Sequence, residues 1–236
     1  MPASRRMRLT RRHVDHVHRP IDDPGPKLLP GFRSATEDDY SEAVAGMLET
    51  RPTGDFWLFG YGSLIWRPET AFEEKRKGTA AGWHRRFCLG PDYRYRGSPE
   101  LPGLMMALDR GGQCTGMLYR LPEAGLEQEL HRLIRRELSQ LPSAFPWRWI
   151  KVRTDEGPVP ALTFAMDRNN ARYVAGLSDT EVAAVLASAC GFLGSMAEYL
   201  FSTVTMLESL GIHDRKLWRL QSLVADLIEA RLSASR

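Results

Sequence analysis

The sequence predicts an α+β fold, a small mixed β-barrel with flanking helices and a helical C-terminal tail. Three observations point to it. Short apolar runs bounded by turn residues fill the middle of the chain, a single amphipathic helical stretch interrupts them, and the pattern after Ser178 is helical to the end. With 236 residues, 43% of them hydrophobic and 26% charged, there is enough apolar material for one sizeable core. A disordered chain, a collagen and a mini-protein are thereby excluded, and one domain with appendages is expected.

Residues 1–31 combine arginines with His13, His16, His18 and several prolines and lack a sustained apolar period. They are expected to form a flexible basic arm, mobile or loosely wrapped, with the folded domain spanning 32–236. The three histidines do not suggest a metal site, because neighbouring arginines repel a cation and a loose arm offers nothing to orient the ligands. From Ala35 to Thr50 the apolar spacing suits one amphipathic helix. Asp55 to Trp66 reads as a strand entering a Gly-Ser turn, and Arg86–Leu89, Gly103–Leu108 and Thr115–Leu121 as further short strands, with Asp109–Gly112 as a hairpin loop.

Pro122 to Leu138 follows as a helix with Leu126, Leu130, Leu133, Ile134 and Leu138 on one face. Trp147–Val152 and Ala161–Met166 flank a turn at Asp155–Pro158, a second hairpin. Ser178 and Glu181 have capping-box spacing, and Gly191, Gly194 and Gly211 divide the tail into three helices. The longest uncharged stretch, Val182 to Ala197, is too short and too rich in small residues to span a bilayer, and reads as a buried helix pair.

Charge and cysteines narrow the function. Six arginines lie in the first twenty residues against one acid, which leaves 26 basic and 28 acidic residues for the rest. A nucleic-acid-binding body would carry its own basic surface, so neither a nucleic-acid nor a membrane partner is expected. Cys88, Cys114 and Cys190 are far apart and form no Cys-x-x-Cys pair, which argues against a disulfide scaffold or structural zinc and for a cytoplasmic location, as does the lack of a secretory signal.

Several motifs fail on inspection. Gly60-Tyr-Gly62 begins like a dinucleotide loop, but Ile65 stands where the third glycine belongs. Ser63 lacks the second glycine of a hydrolase elbow. His84 and Cys88 on one strand would be too far apart to hydrogen-bond directly.

Four stretches in order resemble the ChaC-like family of γ-glutamylcyclotransferases: Phe59-Gly-Tyr-Gly-Ser-Leu-Ile-Trp66; Gly82-Trp-His-Arg-Arg-Phe-Cys-Leu89 with Arg96-Gly-Ser-Pro-Glu100; Leu133-Ile-Arg-Arg-Glu137-Leu138; and Gly194-Ser-Met-Ala-Glu-Tyr-Leu200 with Leu210-Gly-Ile212-His-Asp214. The likeness runs from about Phe56 to Leu217. It implies a γ-glutamylcyclotransferase-like barrel that cyclises the glutamyl part of a γ-glutamyl amide, usually glutathione, to 5-oxoproline, with no metal or organic cofactor. It also implies that Glu137 is the catalytic base and that Tyr61, Gly62, Ser63, Leu64, Ile65 and Trp66 form the substrate loop. Tyr173, before Val-Ala-Gly176, resembles a family tyrosine that closes the glutamyl pocket.

The chemistry is consistent with that assignment. An α-ammonium cannot attack its own γ-carbonyl until a base removes a proton, and a carboxylate in an apolar setting can take that proton and return it to the leaving amine. Gly60 and Gly62 are expected to leave the loop backbone open to close approach, and its N–H groups can steady the oxyanion. Two positions depart from the family pattern, Phe145 in Pro142-Ser-Ala-Phe145 and Met196. The leaving group therefore stays open between Cys-Gly and another γ-glutamyl amine or peptide, and a non-catalytic γ-glutamyl-binding regulator is the alternative to an enzyme.

Overall fold

The computed structural model describes residues 6–234; residues 1–5 and 235–236, including Arg5 of the expected basic arm, lie outside the described residues. In chain order the elements are α1 (Arg11–Val17), β1 (Arg33–Ser34), α2 (Glu37–Glu49), β2 (Trp57–Gly60), α3 (Ser63–Trp66), β3 (Glu74–Asp92), β4 (Gly103–Arg120), α4 (Leu126–Glu137), β5 (Gln140–Leu141), β6 (Trp147–Thr154), β7 (Gly157–Phe164), α5 (Asp179–Leu186), β8 (Cys190–Gly191), β9 (Gly194–Ser195), α6 (Met196–Ser209) and α7 (Arg215–Ala234). They form two compact units, one of Leu28–Arg86 and Met106–Tyr173, the other of the chain up to Lys27, Phe87–Met105 and Val174 onward.

The first unit is a closed barrel in the order β2-β4-β3-β6-β7. Its seam is the parallel pairing of β2 and β7 at Leu58 and Leu162, while β2–β4, β3–β6 and β6–β7 are antiparallel. Period-2 alternation sends Trp57, Phe59 and Tyr61 into one apolar cluster with Leu108, Leu118, Ile150 and Val152. Fully burying a side chain of this size contributes about 1.5–3 kcal/mol. The other face of β2 is covered as well, with Phe56 meeting Trp149 edge-on at 5.1 Å.

α2 begins at Thr36, whose hydroxyl accepts from the Asp39 N–H while the Asp39 carboxylate accepts from the Thr36 N–H, a reciprocal cap. Gly46 lets the Trp147 ring approach the helix, since a Cβ there would sit 3.2 Å from it. α4 starts later than the apolar pattern suggests, because Gly125 at φ 81° caps it, and it buries Leu126, Leu130, Leu133 and Ile134.

The strands differ from expectation in length. Arg86–Leu89 lies inside the continuous strand β3, and the two strands expected on either side of Asp109–Gly112 are one strand, β4. Gly111 and Gly112 take φ of 110° and 66° within that strand, so the turn residues are absorbed as an irregularity rather than a reversal. The β6–β7 turn is tighter than expected: Thr154 pairs with Gly157, leaving only Asp155 and Glu156 between the strands.

In the second unit, α5 carries the expected capping box between Ser178 and Glu181. Val182–Ala197 is not a simple helix pair, because the two-residue strands β8 and β9 intervene before α6. The expectation of a loose N-terminal arm does not describe Arg8 to Val17. Leu9, Val14 and Val17 are buried, and α1 packs on α6 and α7. Three apolar positions in one short turn-and-helix are too few to register as a period, yet enough to seat it.

Polar contacts fix that segment. The Leu9 N–H donates to Gln221 at 2.8 Å, the Thr10 N–H donates to His13 Nδ1 at 3.0 Å, and His13 Nε2 lies 3.1 Å from Glu229. His13 is thus committed to protein partners. Arg8 adds ion pairs to Asp226 and Glu229 at 2.7 and 2.9 Å, exposed and of small energetic weight.

Where β2 meets β4, a Cβ at Gly116 would lie 2.4 Å from the Gly60 carbonyl and 2.8 Å from the Phe59 ring. Backbone cannot yield as a side-chain tip can, so Gly116→Ala is expected to destabilise the protein by about 1–3 kcal/mol in urea unfolding.

Candidate active site

Glu137 is the last residue of α4. Leu138 leaves the helix with φ −105° and ψ 82°, its N–H still bonded to the Ile134 carbonyl at 2.7 Å, and the chain continues into β5. The Glu137 side chain is therefore set at a helix end rather than along a face, with Ile134 and Leu138 beside it. It is 15% exposed. Burial pushes its carboxyl above the usual carboxylate range, the Arg136 guanidinium opposes that, and Glu69 adds to it.

Ser63 opens α3 directly after β2, and its Oγ accepts from Arg136 Nη2 at 2.8 Å. The same guanidinium places Nε 3.1 Å from Glu137 Oε1, donates from Nη1 to the Arg67 carbonyl, and holds Nη1 3.4 Å from Glu69 Oε2. One side chain thus joins the Ser63 loop to the Glu137 carboxyl. Neighbours at i and i+1 on a helix do not normally face each other, and the pair forms here because α4 ends at Glu137.

The loop after α3 is held to α4 a second time. The Ala71 N–H donates to Glu129 Oε2 at 3.0 Å, and Glu129, itself buried, pairs with Arg132 at 2.6 Å. Glu69 in that loop has φ 56°. For a residue with a Cβ the left-handed region costs about 1–2 kcal/mol, which the surrounding ion pairs must offset. Its carboxylate pairs with Arg67 Nε as well as with Arg136.

The other residues expected in the substrate loop fall into distinct environments. Tyr61 belongs to the barrel cluster, and its carbonyl accepts from the buried Arg85 Nε at 2.5 Å. Leu64 and Ile65 are buried, and the Ile65 carbonyl accepts from the Tyr119 hydroxyl at 3.3 Å. Burial pushes that phenol up to about 12. Gly62 caps α3, and Trp66 is half-buried at its end. Gly60 proves to serve internal packing rather than ligand approach, since Leu64 and Tyr119 fill the space a Cβ would need.

Tyr173 is placed in a different cluster. Its hydroxyl donates to Asp109 Oδ2 at 3.2 Å and accepts from Arg86 at 3.4 Å, and Asp109, fully buried, pairs with Arg168 at 2.7 Å. Burial alone would raise the Asp109 carboxyl, but the Arg168 hydrogen bond and the Arg110 N–H hold it below the usual range. Burial and the nearby Asp109 charge push the Tyr173 phenol up.

Glu137 lines a cavity of about 550 Å³ between α2, the end of α4 and the stretch leading into β6, together with Gly46, Leu138, Phe145, Trp147 and Phe164 among others. Phe145, one of the two departures from the family pattern, therefore shares a wall with Glu137. Met196, the other, is fully buried at the start of α6.

Arg136, Glu69, Arg85 and Asp109 were not among the residues singled out from sequence. Asp109 carries the look of a turn residue, and Arg135-Arg136 that of a solvated face. Among the described residues no three His, Cys, Asp or Glu side chains converge as a metal would need, and no helix is long and apolar enough to cross a membrane.

Comparison with known proteins gives the family. A family model described as ChaC-like protein matches residues 56–227. The glutathione-specific gamma-glutamylcyclotransferase of Escherichia coli strain K12 is 42% identical over 179 residues, covering 75% of this chain and 76% of that protein. Glutathione-specific gamma-glutamylcyclotransferase 1 of Mus musculus is 32% identical over 164 residues, 66% of this chain and 70% of that one. Among solved structures, a yeast gamma-glutamyl cyclotransferase specific to glutathione superposes with a TM-score of 0.65 at 19% identity, over 73% of this chain and 97% of that chain, a likeness of fold. The chain belongs to the ChaC-like family.

Proposed function

We propose that this protein is a γ-glutamylcyclotransferase that cleaves glutathione to 5-oxoproline and Cys-Gly. The observation that carries the reading is a largely buried carboxyl at the end of α4, Glu137, tied through one guanidinium to the Ser63 loop and pushed by burial above the usual carboxylate range. The 42% identity to the E. coli glutathione-specific enzyme supports the substrate.

The chemistry needs one group that accepts a proton and gives it back. Glu137 removes a proton from the substrate α-ammonium, and the freed amine attacks the γ-carbonyl carbon of the same glutamyl unit. The carbonyl π electrons move to oxygen, forming a tetrahedral oxyanion that backbone N–H groups of the Gly62–Leu64 loop stabilise. The oxyanion collapses, the bond from the γ-carbon to the cysteine nitrogen breaks, and Glu137 returns its proton to that nitrogen; the second proton left on the ring nitrogen then passes through the freed carboxylate to the departing amine, giving the neutral lactam and the Cys-Gly ammonium. No water is consumed. A carboxyl raised above its ordinary value suits both halves of the cycle, because it is a stronger base when ionised than an exposed glutamate. The five-membered closure requires the glutamyl unit to be folded back on itself, so holding the substrate contributes as much as proton transfer does. We assign that task to the loop from Tyr61 to Trp66, with Ser63 as its hydroxyl contact; Tyr173, whose hydroxyl is held by Asp109 and Arg86, is proposed from the family resemblance alone to close the glutamyl pocket. No cofactor takes part in this scheme, and the protein is proposed to work in the cytoplasm.

Incubation of the purified protein with glutathione should release 5-oxoproline and Cys-Gly in equal amounts by mass spectrometry. Glu137→Gln should lower turnover by about 10²–10⁴-fold while the protein stays folded; full turnover in a folded Glu137→Gln protein would remove Glu137 from the reaction.

The same variant reports on the buried charge. With its folded pKa raised, Glu137 holds its proton in the native state above the pH at which the unfolded chain releases it, so wild-type stability falls as pH rises through that window. Glu137→Gln should therefore melt at a higher temperature than wild type at neutral pH, and the two curves should converge below the ordinary glutamate range.

A further inference from the structure

We propose that Arg136 and Glu69 form a balanced pair that positions Glu137 and sets the pH at which it becomes a base, with Arg136 the positioning residue and Glu69 its counterweight. This rests on Glu137 being the base.

The geometry is specific to a guanidinium. Four acceptors surround Arg136: Ser63 Oγ at 2.8 Å, the Arg67 carbonyl, Glu69 Oε2 at 3.4 Å and Glu137 Oε1 at 3.1 Å. A planar fork with donors in fixed directions can serve all of them at once, whereas an ammonium is a single point charge on a flexible stem. Arg136 is only 19% exposed, so its charge is incompletely screened by water. Moving the Ser63 loop therefore moves the partner of the Glu137 carboxylate, and substrate contact with the loop is felt at the base.

The two carboxylates compete for one cation. Burial favours the neutral form of Glu137, and Arg136 works against it by favouring the charged form. Glu69 shares that cation and presents a negative charge of its own, and both effects favour the protonated form of Glu137. Other charged groups around the site are Arg67, which is paired to Glu69, and Asp39, Glu42 and Glu49 of α2 across the cavity; Asp39 is committed to Arg33. Arg136 and Glu69 are the charges that bear on the ionisation of Glu137. Arg136 is therefore not simply an anchor for α3. If it were, removing Arg136 and removing Glu69 would both loosen the same loop, with the same kind of loss.

The test is the acid limb of kcat/KM against pH for full-length protein with glutathione, followed by 5-oxoproline release, alongside circular dichroism of each variant. In Arg136→Gln the limb should move to higher pH by about one unit, because the charged form of Glu137 loses its stabilising cation. In Glu69→Gln it should move to lower pH by roughly half a unit, because the cation is no longer shared. Arg136→Lys should bring the limb back toward wild type while kcat/KM stays reduced, since charge is restored and the fork is not. Limbs that stay in place, or that move in the same direction in both variants, overturn the proposal. Should Arg136→Gln fail to fold, Glu69→Gln decides alone: a downward shift supports the pair and an unmoved limb overturns it. Glu137→Gln separates this from the functional reading, because full turnover there discards Glu137 as base, whereas an inactive Glu137→Gln with unmoved limbs discards only the pair.

Discussion

A closed barrel pairs every strand on both sides, and the shortest of the five, β2, carries the closing seam. β4 pairs with it antiparallel and β7 closes on it in parallel at Leu58 and Leu162. Four residues long and buried throughout, it has no freedom to slip, because a one-residue shift would exchange the Trp57–Phe59–Tyr61 face with its opposite. The Tyr61–Trp66 loop leaves the barrel from this fixed end. The precision of the loop is thus inherited from the seam, with Arg85 holding the Tyr61 carbonyl and the Thr163 hydroxyl donating to the Phe59 carbonyl at 3.0 Å.

Against that rigid strand end the electrostatics are finely divided. A carboxyl at the end of α4 is desolvated, which favours its neutral form, and lies beside a cation, which favours its charge. Neither effect is carried to completion. A fully paired Glu137 would be a poor base, and a fully desolvated, unpaired one would stay protonated; a general acid–base catalyst must lie between these limits. Asp109 shows the other solution. Its side chain is more deeply buried, yet two arginines, a phenol and a backbone N–H surround it and hold its carboxyl below the usual range, and it organises Tyr173 and Arg168.

Much of this was legible from residues alone. The apolar spacing located α2 and α4, the serine and glutamate at 178 and 181 located the start of α5, and the family resemblance around Glu137 supplied the proposed base. What sequence could not show was pairing at a distance. Arg136 reads as a solvated charge because its partner Ser63 is 73 residues away, and the Gly-Gly pair after Asp109 reads as a reversal although β4 runs straight through it. Leu9, Val14 and Val17 are too few for a period and find their partners only on α6 and α7. Local patterns report local structure; ion pairs and docking across the chain depend on elements that no window of sequence contains together.

The seating of α1 bears on the order of assembly during synthesis. Leu9 is bonded to a residue 212 positions later, and Arg8 and His13 meet Asp226 and Glu229. This early segment waits for α7, so the helical unit cannot be completed until α7 has left the ribosome, after every barrel strand has emerged. The barrel that carries the proposed base can close before α7 has been made; the helical unit is completed only after it.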